Sequence, residues 1–230
     1  MFRSLTPQYL GVIAVELVCI VFSVMVHEVA HGYAAYRLGD PTAKRAGRLT
    51  LNPVKHLDPV GSVILPLIFA LCNAPIFAYA KPVPYNPAYF KDLRKGELIV
   101  AFAGPLSNVA QGLVGALICF LCRYAYGPDI DPSGFGAGVL SWTYTFGYFY
   151  CYINFVLFFF NVIPLPPLDG ASIVAVFLSE RGLRKFYSIK QYSMFILLAL
   201  LVLVPMVLDW SPLGWYMSHT AGAVVSLLVG

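Results

Sequence analysis

Residues 9–37 are almost uniformly apolar, and Glu16, His27, Glu28 and His31 are their only acidic or imidazole side chains. About 20 apolar residues suffice to cross the hydrocarbon core of a bilayer, so this run predicts a membrane-spanning helix, stopped by Gly39-Asp40-Pro41. Its polar residues spell H-E-x-x-H. On a helix, His27 and His31 stand one turn apart on one face. Two imidazole nitrogens can then reach one metal ion while Glu28 reaches a water bound to it. A lone histidine in a membrane helix is ordinarily a hydrogen-bonding residue between helices, and the motif does occur by chance. Here three of the chain's four histidines and four glutamates meet in this order. Each ionisable group in hydrocarbon costs about 2.5–3.5 kcal/mol on insertion scales and marks function, so a metal site is the stronger reading.

The rest of the composition agrees with a membrane chain. With 59% hydrophobic and 11% charged residues and a mean hydropathy of +0.75, an ordinary soluble fold is excluded. The net charge of +4 comes from basic residues grouped in loops, which orients a membrane protein and gives no basic face for nucleic acid. Cys19, Cys72, Cys119, Cys122 and Cys151 are odd in number and mostly sit in apolar segments, so they read as small buried hydrophobes. Cys119 and Cys122 form a C-x-x-C without a second pair. Arg3 precedes a long apolar run with no small-residue cleavage site, which suggests an uncleaved first helix.

Along the chain, Lys44, Arg45, Arg48 and Lys55 follow the first span and favour a cytoplasmic end there, with the N-terminus outside. Residues 47–53 are expected to form a strand or extended segment at the membrane surface. Residues 60–80 have nearly the length of a span but hold Gly61, Pro66, Asn73 and Pro75 and are flanked by basic residues on both sides. That pattern predicts a re-entrant hairpin or two half-helices. The prolines force residues 81–87, Lys-Pro-Val-Pro-Tyr-Asn-Pro, to be extended. Further spans are expected over residues 97–122, 139–162 and 194–208, with a charged cytoplasmic loop over 180–190 and an uncertain last segment over 213–230. The fold class is therefore an all-α polytopic membrane protein with about 4–6 transmembrane helices. A re-entrant or β-like segment lies between the first helix and the Gly104-Pro105 helix. Residues 1–230 read as a single membrane-embedded domain with its core over about 9–178.

Two histidines leave a tetrahedral zinc one protein ligand short if water is to hold the fourth position. His56 sits in a basic loop and His219 in the uncertain last segment, so each reads as an ordinary polar residue. Asp169 falls at a depth similar to His27 and His31, after Pro164, Pro166 and Pro167 and before Gly170. The alternative role for Asp169, as the cap of a following helix, stays open on these grounds.

His27-Glu28-x-x-His31, Gly104-Pro105-x-x-Asn108 and Asn161-x-x-Pro164-x-x-Pro167-x-Asp169-Gly170 together resemble the three motifs of the site-2 protease family of intramembrane zinc metalloproteases. Gly39-Asp40-Pro41-Thr42-Ala43 and residues 81–87 further resemble its small prokaryotic branch, which lacks PDZ-like and nucleotide-binding modules. The resemblance implies one zinc ion per chain, held by His27, His31 and Asp169, with Glu28 as general base and acid. It implies Asn161 near the scissile carbonyl and Asn108 as a polar residue packed beside the site, and Asn108, Pro84 and Asn86 are the candidate substrate-binding residues. Residues 81–87, including Pro84 and Asn86, could offer an unwound substrate an edge to pair with, as could residues 48–52.

The expected function is hydrolysis of a peptide bond in or near a transmembrane segment of another membrane protein, as in regulated intramembrane proteolysis. The expected location is the cell membrane, multi-pass and in contact with the lipid bilayer, with the active site toward the cytoplasm. Two rivals are a membrane metal-ion transporter, which would need polar residues on several spans and no Glu28, and an inert scaffold that binds membrane proteins.

Overall fold

The computed structural model describes residues 6–58, 61, 64, 81–126 and 134–230. Helix α1 (Pro7–Arg37) opens with Thr6 as its cap, the side chain accepting from the Tyr9 amide at 3.2 Å, and with proline in its first turn, where a missing N–H costs nothing. It ends at Leu38, and Gly39 then takes a φ of 104° that favours glycine. Asp40 follows, then the short α2 (Thr42–Arg45).

Helix α3 (Leu93–Ala125), capped by Asp92, is the centre of the molecule, packed against α1 and against α4 (Phe135–Asn161). The crossing of α3 and α4 is close because small residues meet there. A Cβ added at Gly115 would stand 2.7 Å from the Gly147 carbonyl oxygen and 2.9 Å from Cys151 Cα. Contact of backbone with backbone of this kind substitutes for a hydrophobic driving force that lipid does not supply. After a non-helical turn come α5 (Asp169–Ala175) and α6 (Glu180–Leu198). A wider turn at Ala199–Leu203 carries α6 into α7 (Val204–Leu208). Then α8 (Pro212–Met217) joins α9 (Ala223–Val229) through a similar turn at Ser218–Gly222.

The chain is an all-α polytopic membrane protein. Among the described residues, three helical stretches, Pro7–Arg37, Leu93–Ala125 and Gln191–Leu208, are long and apolar enough to cross a bilayer. Helix α4, at 27 residues, is long enough too, although its tyrosines hold its hydropathy down. Leu10, Leu17, Val18, Ile20 and Phe22 on α1 are exposed, as expected where lipid replaces protein as the neighbour.

Two local expectations change. The segment over residues 180–190 is helical where a charged loop was expected. Ser179 caps it by accepting from the Gly182 amide, and Glu180 lies in the first turn, where an acidic side chain favours the helix. There is no strand among the described residues, and residues 47–52 turn and bend instead. The re-entrant hairpin expected over residues 60–80 falls almost wholly outside the described residues. Cys19, Cys119, Cys122 and Cys151 are buried free thiols.

Candidate metal centre

The three side chains expected to meet do so. One ligand atom each from His27, His31 and Asp169 lies within 4.8 Å of the other two. His27 and His31 come from the last third of α1, and Asp169 from the first position of α5. What brings Asp169 there is the turn after α4. Gly170 packs so closely on that turn that an added Cβ would collide with the Val162 carbonyl, which lets the chain double back against the helix end. Gly104 of α3 provides the space on the other side, because a Cβ there would strike His31 Nε2 and stand 2.6 Å from His27 Cε1.

The polar geometry suits a cation. His31 Nδ1 is 2.7 Å from the Val100 carbonyl oxygen. That oxygen only accepts, so Nδ1 carries the proton and, in the neutral ring, Nε2 presents a lone pair. His31 Nε2 lies 3.0 Å from His27 Nε2, and Asp169 Oδ2 lies 3.1 and 3.2 Å from these two nitrogens. Asp169 Oδ2 is buried with no hydrogen-bond partner among the described residues. Electron pairs converging in a buried place repel one another unless a positive ion stands between them, and two imidazoles with one carboxylate form a donor set that zinc takes with a fourth position open. The residues present therefore fit the metal that the motif implies.

Glu28 stands on the same helix turn, partly buried, and its Oε2 accepts from the Val83 amide at 2.8 Å. Val83 belongs to an extended strap over residues 81–86, held on the end of α1 by several contacts. Its side chain is buried, and an added Cβ on Gly32 would stand 2.6 Å from Val83 Cγ1. Arg48 Nη2 donates to the Lys81 carbonyl at 2.6 Å, and the Asn86 amide donates to Asp40 Oδ2 at 2.6 Å. Burial works against charge on Asp40, but the hydrogen bonds from the Thr42 side chain and from the Asn86 and Thr42 amides outweigh it and hold its carboxyl below the usual range.

The remaining site candidates are placed as follows. Asn108 is fully buried, its Oδ1 2.6 Å from His27 Nδ1 and its Nδ2 donating to Asn154 Oδ1 at 2.8 Å. Asn161, at the end of α4, donates to the Leu157 carbonyl one turn back at 2.9 Å. Pro84 and Asn86 are exposed on the strap, and Asn86 Oδ1 accepts from the Ala88 amide. His56 is buried with Nε2 on the Thr50 carbonyl, and His219 is bonded to the Trp215 carbonyl on its own helix. Neither belongs to the metal group.

The profile of peptidase family M50 matches residues 134–204. Bacillus subtilis "Putative zinc metalloprotease YwhC" is 36% identical over 200 residues, which cover 87% of this chain and 82% of that protein. The chain belongs to peptidase family M50. Two mycobacterial proteins, each named "Putative zinc metalloprotease Rip2", are more distant. The one from Mycolicibacterium smegmatis is 25% identical over 203 residues, 88% of this chain and 72% of its own. The one from Mycobacterium tuberculosis is 26% identical over 202 residues, 88% and 71% respectively. No solved structure matches the chain.

Several residues of this M50 site escape sequence reasoning. Ser23, Tyr150 and the backbone of Val100 and Val83 all bond into it. Ser23 had one available signal, since it precedes His27 by one turn and is the nearest polar residue on that face. The two backbone groups carry no signal in side-chain identity.

Proposed function

We propose that the chain is an intramembrane zinc metalloprotease, one domain over residues 1–230 with its core over about 9–178, that cuts a transmembrane segment of another membrane protein. The observation that carries this reading is the convergence of His27 Nε2, His31 Nε2 and Asp169 Oδ2 within an apolar helix bundle, with Glu28 one residue along the same helix. Zinc held by these three would polarise a peptide carbonyl and bring the pKa of a bound water to about 7. Glu28 takes the proton of the attacking water and passes it to the leaving nitrogen, acting first as base and then as acid. The Val83 amide fixes the direction of its carboxylate, and a fixed carboxylate is what such a transfer needs. Asn161, released from the Leu157 carbonyl, can donate to the oxygen on which charge develops.

The strap supports a role in substrate contact for Pro84 and Asn86, which are exposed on the segment whose Val83 amide bonds Glu28. Asn108 is enclosed between His27 and Asn154, which supports holding His27 over touching a peptide. The basic residues Arg37, Lys44, Arg45 and Arg48 gather at the end of α1 nearest the metal group, and favour a cell-membrane protein with that end toward the cytoplasm.

The test is Glu28→Gln. The amide preserves size but cannot accept a proton, so zinc content should stay at about one per chain while cleavage of a membrane-spanning peptide falls by several orders of magnitude. Unchanged cleavage by this variant would remove Glu28 as the general base, and a native chain that binds zinc but cuts no membrane-spanning peptide would overturn the proteolytic reading.

A further inference from the structure

The hydrogen bonds behind His27 form a chain with a fixed direction. The Tyr150 carbonyl can only accept, so the Asn154 atom 2.8 Å from it is Nδ2, whose second N–H goes to Ser23 Oγ, also at 2.8 Å. Asn154 Oδ1 is then turned to Asn108, where it accepts from Nδ2 at 2.8 Å. That leaves Asn108 Oδ1 facing His27 Nδ1 at 2.6 Å. Since this oxygen only accepts, His27 Nδ1 carries the proton, and in the neutral ring Nε2 then presents its lone pair toward Asp169 and His31. Ser23, Asn108 and Asn154 are each 0% exposed, so no bulk water competes for these bonds. A flipped amide anywhere in the chain would set two oxygens or two N–H groups against each other, at a cost of about 1–3 kcal/mol in a buried place.

We propose that Asn154, a residue of α4 outside every motif noted in the sequence, is a positioning residue that fixes the tautomer of His27 through Asn108 and so keeps the metal ligand available. This rests on the zinc reading of the site but concerns which nitrogen of His27 holds its proton. Without Asn154, the Asn108 amide is free to rotate. Its N–H can then point at His27 and drive the proton to Nε2, which blocks the lone pair. Outer partners of metal-bound histidines are worth about 10- to 100-fold in metal affinity.

The experiment measures zinc affinity of the full chain in detergent by chelator competition. Asn154→Val, similar in size and without polar atoms, should weaken zinc by about 10- to 100-fold although it touches no ligand. Asn108→Asp should then restore binding in that background, because a carboxylate can only accept and dictates Nδ1–H on His27 whatever stands at position 154. On its own, Asn108→Asp sets a carboxylate oxygen against Asn154 Oδ1 and should weaken zinc, so the double variant binds more tightly than either single one. A residue that only packs would show no such reversal. If Asn154→Val fails to fold, Asn154→Ser gives the same comparison, since it withdraws the acceptor from Asn108 while keeping a hydroxyl near Tyr150. Nitrogen NMR of labelled histidine, recorded without metal, reads the proton on His27 Nδ1 directly and is independent of zinc. It should be present in the wild type and lost or exchanging in Asn154→Val. Wild-type zinc affinity in Asn154→Val, no recovery in the double variant, or an unchanged Nδ1 proton would each overturn the proposal. Failure of the wild type to bind zinc while the Nδ1 proton follows Asn154 would overturn the zinc reading and leave the relay standing.

Discussion

At Gly104 a single hydrogen atom separates a usable metal site from a filled one. A methyl group there would meet His31 Nε2 and lie 2.6 Å from His27 Cε1, and Pro105 beside it limits how far the helix can adjust. Gly104→Ala should therefore reduce zinc from about one per chain toward none while leaving the helical fold intact, matching His31→Ala and Asp169→Ala. Metal analysis beside circular dichroism would show it, and full zinc in Gly104→Ala would mean that the centre lies elsewhere. His27, Glu28 and His31 are readable in the sequence because their arrangement follows from helix periodicity alone. Asp169 is readable because prolines and a glycine bracket it. Gly104 is noticeable as part of a motif, but its role as empty space beside two imidazoles depends on how α1 and α3 cross, which no local pattern encodes. The same holds for Ser23, Tyr150 and Asn154, whose chemistry appears only when three helices meet.

The elements differ in how much their own sequence decides. Helices α1, α3 and α4 follow from long apolar runs with clear stops, and their observed ends differ from the expected ones by a few residues at most. The start of α6 has the charge density of a loop, and its helix rests on the Ser179 cap and on Glu180 in the first turn. The strap over residues 81–86 shows the opposite case. Its prolines dictate an extended chain, but its place over α1 depends on Arg48, Glu28 and Asp40. Asp40 makes this measurable. Its carboxyl titrates below the usual value of about 3.8, so it stabilises the strap above that pH, and the contribution disappears as pH falls through the lowered value. Acid below about pH 3.8 should lower the protection of the Thr42 and Asn86 amides against hydrogen exchange, relative to their intrinsic rates at that pH, and Asp40→Asn should do the same at neutral pH. Protection unchanged by both would show that other contacts hold the strap.

For the molecule as a whole, the depth and enclosure of the site decide which substrates it can accept. The metal group lies in the last third of α1 among helices, and the strap covers Glu28 with its one amide between prolines already bonded to the Glu28 carboxylate. A peptide that reaches the site must therefore arrive as a single extended strand, and a transmembrane segment must unwind first, since helical carbonyls are already bonded and shielded by side chains. Unwinding is about 1 kcal/mol easier at glycine than at alanine, and easier still at proline. One alanine-to-glycine change beside the scissile bond of a membrane-spanning substrate should thus raise kcat/KM by up to about fivefold. The cut should fall near the end of the segment level with Arg37, Lys44 and Arg45, whose charges favour the cytoplasmic side. Substrates trapped on Glu28→Gln in native membranes, identified and mapped by mass spectrometry, test both statements. Cuts confined to soluble loops, or rates indifferent to helix-weakening residues, would mean that the site takes peptides already unfolded in water and that its burial serves another purpose.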